Sequence, residues 1–140
     1  MIVVDTNLVA YSVLPGERTV AALAVRRRDP EWIAPALLWS ELRNLLVQQV
    51  RLRGLAPEDA EAAYRQALEL AGTLSVEPRF EAVVSTCIAA SISAYDAEFV
   101  LAARELGLVL VTADRWLIEK FSDTAVSPEQ FVAGEWIQEP

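Results

Sequence analysis

No histidine occurs anywhere in this 140-residue sequence. That absence removes Ser-His-Asp and Cys-His catalysis, His-ligated zinc and the HEXXH proteases together. Cysteine is almost missing too: Cys87 stands alone, so no internal disulfide forms and a reducing compartment fits. It lies among Val83, Val84, Ile88 and Ala89 and reads as a small core residue, not a nucleophile. The five glycines are scattered singly, which leaves no glycine-rich phosphate loop. No apolar run reaches the roughly 20 residues of a membrane span, and Met1-Ile2-Val3-Val4-Asp5 lacks a basic leader segment. The expectation is a soluble, cytoplasmic chain with no secretory signal. Positive charge is scarce: Lys and Arg total 12 against 20 Asp and Glu, a formal net charge of −8. Such a chain gains nothing from general electrostatic attraction to nucleic acid. Any chemistry must come from carboxylates, hydroxyls, arginines or a bound ion.

What is abundant is apolar. These residues make up 54% of the chain, enough for one domain with a substantial core. Short apolar runs at Ile2–Val4, Trp32–Ala34, Leu74–Val76, Leu108–Val111 and Thr124–Val126 predict strands. Between them lie helical stretches: Leu8–Val13, Glu17–Arg28, Leu37–Arg53, one opening at Ala56-Pro57, and Glu81–Ile92. A short helix over Arg115–Phe121 and a last one beginning at Ser127-Pro128 complete the pattern. Strand and helix alternate, which predicts α/β: a mainly parallel sheet of about four to five short strands flanked by helices. Residues 1–140 read as a single domain, with Gly134 to Pro140 as a loose tail.

The stretch from Ser93 to Arg115 organises the rest. Ser93 followed by Asp96 marks a helix start. Tyr95, Phe99, Ala102, Ala103 and Leu106 then recur at helical spacing, and Gly107 sits where a left-handed residue would end the helix. The strand Leu108–Val111 is closed by Thr112-Ala113-Asp114. This delivers one carboxylate at a helix N-terminus and another past a strand's C-terminal end, where open parallel sheets bind ligands.

Four acids stand out by position. Asp5 ends the first strand and Asp114 follows a later one. Glu41 has Leu37, Leu38 and Leu45 on its own helix face, and Asp96 has Phe99 and Val100 beside it. Each has a structural reading as well: Asp5, Asp96 and Asp114 as helix caps, Glu41 paired with an arginine or turned outward. Together they predict a convergent site, because a carboxylate in an apolar stripe costs several kcal/mol if unpaired. Mutual repulsion would raise their pKa values, and a divalent cation would relieve it. An all-oxygen donor set without His or Cys selects Mg²⁺, with Mn²⁺ able to substitute, over Zn²⁺. The chemistry that follows is metal-assisted phosphodiester hydrolysis. Asn7 and Thr112 are expected to support the acids by hydrogen bonds, or merely to satisfy turn backbone.

Asp5-Thr6-Asn7 after an opening strand, Glu41 in a long helix, Tyr95-Asp96-Ala97 and Thr112-Ala113-Asp114 together resemble the PIN-domain nucleases. More narrowly, the chain is similar to the VapC-type toxins of bacterial and archaeal toxin–antitoxin pairs. The resemblance runs in order along nearly the whole chain. It implies a PIN-like three-layer domain and a Mg²⁺-dependent endoribonuclease with Asp5, Glu41, Asp96 and Asp114 as metal-binding catalytic acids. It also implies an RNA substrate, a homodimer and a VapB-type antitoxin that blocks the site. The acidity of the chain departs from what an RNA-binding enzyme would gain from a basic rim; Arg26, Arg27, Arg28, Arg43, Arg51, Arg53 and Arg115 are the candidates for one. Two rivals remain. Phosphatases of the haloacid-dehalogenase type also place an aspartate after a first strand, but need a second acid where Asn7 stands. A non-catalytic binding module with the same fold is the other.

Overall fold

The computed structural model describes residues 1–136. Five strands form one sheet, β1 (Ile2–Val4), β2 (Trp32–Ala34), β3 (Ala71–Thr73), β4 (Leu110–Val111) and β5 (Ala125–Val126), in the order β3-β2-β1-β4-β5 with every pair parallel. Eight helices among the described residues connect them: α1 (Thr6–Val13), α2 (Thr19–Arg28), α3 (Leu37–Arg53), α4 (Pro57–Leu70), α5 (Phe80–Ala90), α6 (Ala94–Leu106), α7 (Arg115–Lys120) and α8 (Pro128–Ala133). From β1 the chain winds outward through β2 to β3, then returns past β1 to β4 and continues the other way to β5. The winding reverses between β1 and β4, so the crevice beyond their C-terminal ends is the topological switch point.

Strands this short are held by burial. Ile2, Val3, Val4, Leu110 and Val111 are sealed from solvent on both faces. Leu8 and Val9 of α1, Leu38 and Leu42 of α3, and Val100 and Ala103 of α6 pack into the same core. α1 packs against α2, α3 and α4, while α6 lies on β1 and β4. The helix ends obey their local signals. Gly54, Gly107 and Gly134 all take left-handed conformations as C-caps, and Ser127 with Gln130 forms a full capping box.

Three expectations need correction. The third strand is Ala71–Thr73, not Leu74–Val76. It follows α4 without a loop and pairs along β2, whereas Val76 is exposed; the more apolar triplet lost to the one the crossover could place in register. Tyr95 and Leu106 face solvent instead of lying on the buried face of α6, whereas Phe99, Ala102 and Ala103 are buried as expected, together with Ala97, Val100 and Leu101. The expected loose tail begins packed: Trp136 stacks on Phe131 with ring centres 5.0 Å apart and donates to its carbonyl at 3.1 Å. Residues 137–140 of that tail lie outside the described residues. No single described helix is long and apolar enough to cross a membrane.

Candidate metal centre

Register places the first pair of site residues. Val4 lies beside Val111 in the β1–β4 pairing, so the next residues along, Asp5 and Thr112, leave the sheet level with each other. Asp5 is the N-cap of α1, its extended backbone letting Oδ1 accept the Leu8 N–H at 2.8 Å. Its other oxygen, Oδ2, accepts from the Thr112 hydroxyl at 2.5 Å. Thr112 in turn accepts the Asp114 N–H at 3.0 Å. Asp114 caps α7, its Oδ1 taking the Trp116 and Leu117 N–H groups at 2.9 and 3.2 Å.

The other two acids arrive on helices. Glu41 is half-buried in the second turn of α3, and its Oε1 accepts from the Thr6 hydroxyl at 3.1 Å. Asp96 is half-buried in the first turn of α6, where its backbone N–H donates to Ser93 Oγ at 3.1 Å. Capping readings for Asp5 and Asp114 are therefore correct, and Asp96 sits on a capped turn. They coexist with proximity, because a capping carboxylate uses one face and leaves lone pairs on the other.

The electrostatics tie the four together. Burial pushes the Asp5 carboxyl up to about 6, against the Thr112 and Leu8 hydrogen bonds, and the charges of Asp114 and Glu41 add to the rise. Glu41 is raised by burial first, opposed by Thr6, with Asp96 and Glu98 as repelling neighbours. Asp96 is raised by burial and by Asp114, with the Ser93 hydroxyl working the other way. Thus Asp5 feels Asp114 and Glu41, Glu41 feels Asp96, and Asp96 feels Asp114: the circuit closes on itself. Among the described residues, however, no three His, Cys, Asp or Glu side chains stand close enough to ligate one ion as placed. The donor chemistry fits a hard divalent cation; the side chains share a field without being drawn onto one point.

Two contributors were not singled out from the sequence. Thr6 makes the contact to Glu41, while its neighbour Asn7 stands exposed on the first turn of α1. Glu98 is a fifth carboxylate, raised by burial and by Glu77, and it bears on Glu41. The arginines fare differently. Arg26 and Arg28, near the end of α2 that leads into the start of β2, lie at the far end of the sheet from Asp5. There Arg26 bonds the Leu70 carbonyl and covers Trp32, and Arg28 bonds the Val132 carbonyl and covers Phe131. Arg43 bonds the Tyr64 hydroxyl and Ser40. Arg115, exposed and next to Asp114, is the candidate that adjoins an acid directly.

Comparison with known proteins gives the family and the fold. The family described as PIN domain matches residues 2–122. Among solved structures, the chain is similar to PAE2754 from Pyrobaculum aerophilum, at 22% identity and TM-score 0.76, covering 95% of this chain and 94% of that one. It is also similar to a toxin-antitoxin complex chain from Klebsiella pneumoniae (19% identity, TM-score 0.65, 91% and 98% covered). FitAcB from Neisseria gonorrhoeae matches at 17% identity and TM-score 0.60, with 92% and 99% covered. No curated protein matches the chain.

Proposed function

This chain belongs to the PIN-domain family, and from that premise we propose that it is a Mg²⁺-dependent endoribonuclease, the toxin of a VapBC-type toxin–antitoxin pair. The observation that carries the reading is the closed circuit of repulsion among Asp5, Glu41, Asp96 and Asp114 at the switch point. In this reading the four carboxylates line the crevice where such a topology holds ligands, and a cation there would offset the burial that raises Asp5, Glu41 and Asp96 and the repulsion they share with Asp114. Asp5, Glu41, Asp96 and Asp114 would hold Mg²⁺, or Mn²⁺ in its place. When bound, the ion supplies Lewis-acid polarisation of a phosphate and a water activated for attack. Thr112 orients Asp5 and Thr6 orients Glu41, so that each ligand is aimed by a hydroxyl behind it. The phosphatase alternative lacks its second acid, because Asn7 occupies that position.

Two surfaces support the partners. Between α3 and α4 runs an apolar groove of about 500 Å³, floored by Leu46, Val47, Val50 and Tyr64 and edged by Arg43 and Arg51. An antitoxin segment with apolar and acidic side chains is the occupant this reading assigns to it, and the similar Klebsiella pneumoniae structure is a toxin-antitoxin complex. On α5, exposed Phe80, Val84 and Ile88 recur every four residues, a stripe suited to a homodimer.

The test is cleavage by purified, antitoxin-free protein. RNA should be cut with Mg²⁺ or Mn²⁺ and left whole in EDTA, and Asp5→Asn or Asp96→Asn should abolish cutting. Metal-independent cleavage, or full activity in both variants, would overturn the reading.

A further inference from the structure

Of the twelve cationic side chains eleven are arginines, and Lys120 is the chain's one lysine. It ends α7, and its ammonium donates to the carbonyl of Ala90, the last residue of α5. The same ammonium stands 4.3 Å from the centre of the Trp116 ring, one turn back on α7. α5 has no basic residue in its own last turn, so the cation that suits the negative end of its dipole comes from another helix. Directly after Ala90, Ser91 takes a left-handed conformation with φ 54°, the one residue other than glycine to do so among the described residues. A serine adopts it only at a cost. Lys120 therefore holds the chain at the carbonyl just ahead of a strained turn.

Both helices that it joins are lightly held. Val83 is the buried residue of α5 and Leu117 that of α7, and α5 meets α6 through a small cluster of Val83, Ala97 and Leu101. A tie between two such helices does more to place them than it would between helices of the main core. Each leads to an acid. α7 starts at Asp114, whose carboxylate accepts the Trp116 and Leu117 N–H groups. α5 runs through Ser91, Ile92 and Ser93 into α6, where Ser93 Oγ accepts the Asp96 N–H at 3.1 Å. The charge of Asp114 bears on Asp96, yet the acids do not meet at one point as placed. Their approach to an ion thus depends on what holds the helices that carry them. We propose that Lys120 is a positioning residue: its bond to Ala90 fixes α7 against the α5–α6 turn and so sets the spacing of Asp96 and Asp114 for a divalent cation. The proposal rests on the nuclease reading above and deepens it.

Lys120→Met keeps the stem and deletes the ammonium. Calorimetric titration with Mg²⁺ alone, without RNA, should show Kd raised about 10- to 100-fold, the usual effect of losing a partner behind a ligand. The Mg²⁺ needed for half-maximal cleavage should rise by the same factor, with KM for RNA unchanged. Lys120→Arg keeps a cation and an N–H donor, and should bring Kd back to within about threefold of wild type despite its different shape. Amide exchange at Ile92, Asp96 and Trp116 should quicken in Lys120→Met while that of Val3 and Val4 holds. Arg104→Met is the control: it cuts a comparable tie at the other end of α6, to Thr124 and Asp123, and should lower the melting temperature without changing Mg²⁺ affinity. If Lys120→Met does not fold by circular dichroism, Lys120→Gln, with a donor but no charge, reads the same constant. Wild-type Mg²⁺ affinity in the Lys120 variant, or an equal loss in Arg104→Met, would overturn the positioning role. If the wild type binds Mg²⁺ and cuts RNA while Lys120→Met keeps both constants, the positioning role falls and the nuclease stands; if the wild type neither binds the ion nor cuts RNA, both fall.

Discussion

The Thr112 hydroxyl joins two acids from two strands: it donates to Asp5 Oδ2 at 2.5 Å and accepts the Asp114 N–H at 3.0 Å. Thr112 and Asp5 are both buried, so the Asp5 carboxylate has no water as a ready substitute for that hydroxyl. Thr112→Val keeps the shape and deletes both bonds. It should cost about 1–3 kcal/mol of stability, the penalty for stranding buried polar groups. It should also move the acid limb of the pH–rate profile upward, since the lost bond is one that holds the Asp5 carboxyl down. Thr112→Ser should restore both. Thermal melts and pH–rate profiles measure the pair; an unshifted profile in the valine variant would count against a positioning role.

Asp5 places a stability cost on the metal-free protein. Its carboxyl lies at about 6 folded against an ordinary 3.8, with burial as the largest cause. A raised carboxyl binds its proton more tightly in the folded state. Its stabilising contribution is thus complete below about pH 3.8, declines between there and about pH 6, and is absent above. The amount is roughly 3 kcal/mol. Asparagine keeps an oxygen for the Leu8 N–H and is itself a good N-cap. Asp5→Asn should therefore melt above the wild type in EDTA at pH 7.5, while being inactive, and the gap should close near pH 4. Equal destabilisation at both pH values would show that burial of charge is not what the side chain contributes.

Mg²⁺ should reverse that cost. An ion bound by the folded state alone stabilises it by about 2.7 kcal/mol at a hundred times Kd. The wild type should melt higher with Mg²⁺, and Asp96→Asn and Glu41→Gln should show little or none of the increase. Thr6→Val removes the hydroxyl behind Glu41 without touching a carboxylate. Loss of such an outer partner should raise the Mg²⁺ needed for half-maximal activity about 10- to 100-fold, with saturated kcat nearly kept. A wild-type Mg²⁺ titration in Thr6→Val would show that Glu41 needs no aiming.

Much of this was legible in the chain because the signals were local. α3 begins at Leu37 and ends at Arg53 as its apolar stripe and Gly54 indicate, and Ser93, Asp114 and Ser127 cap the helices they precede. β3 was displaced because strand pairing is decided across the sheet: Ala71–Thr73 has weak propensity but lies in register with Trp32–Ala34. The acids were singled out because a carboxylate among leucines, or just past a strand end, is anomalous in one dimension. Thr6 and Glu98 were not, since each matters only through Glu41, a contact made across the fold. The directions of the α2 arginines were hidden for the same reason: three in a row look like a basic patch, yet Arg26 and Arg28 turn to Trp32 and Phe131 at the far end of the sheet.

The association state provides the last test. Phe80 and Ile88 are each 76% exposed and Val84 38% exposed, four residues apart along α5. Residues 82–95 carry no charge at all, in a chain whose net charge is −8. Two copies of such a protein repel each other over most of their surface, so an uncharged apolar stripe is where they meet at least electrostatic cost. Ile88→Glu adds a charge to that stripe at a position the fold leaves in solvent. Circular dichroism should be unchanged, while light scattering should shift from dimer to monomer. Val47→Glu, in the groove between α3 and α4, should leave the dimer intact and weaken antitoxin binding instead. A wild-type dimer that survives Ile88→Glu and Phe80→Glu would place the interface on another face.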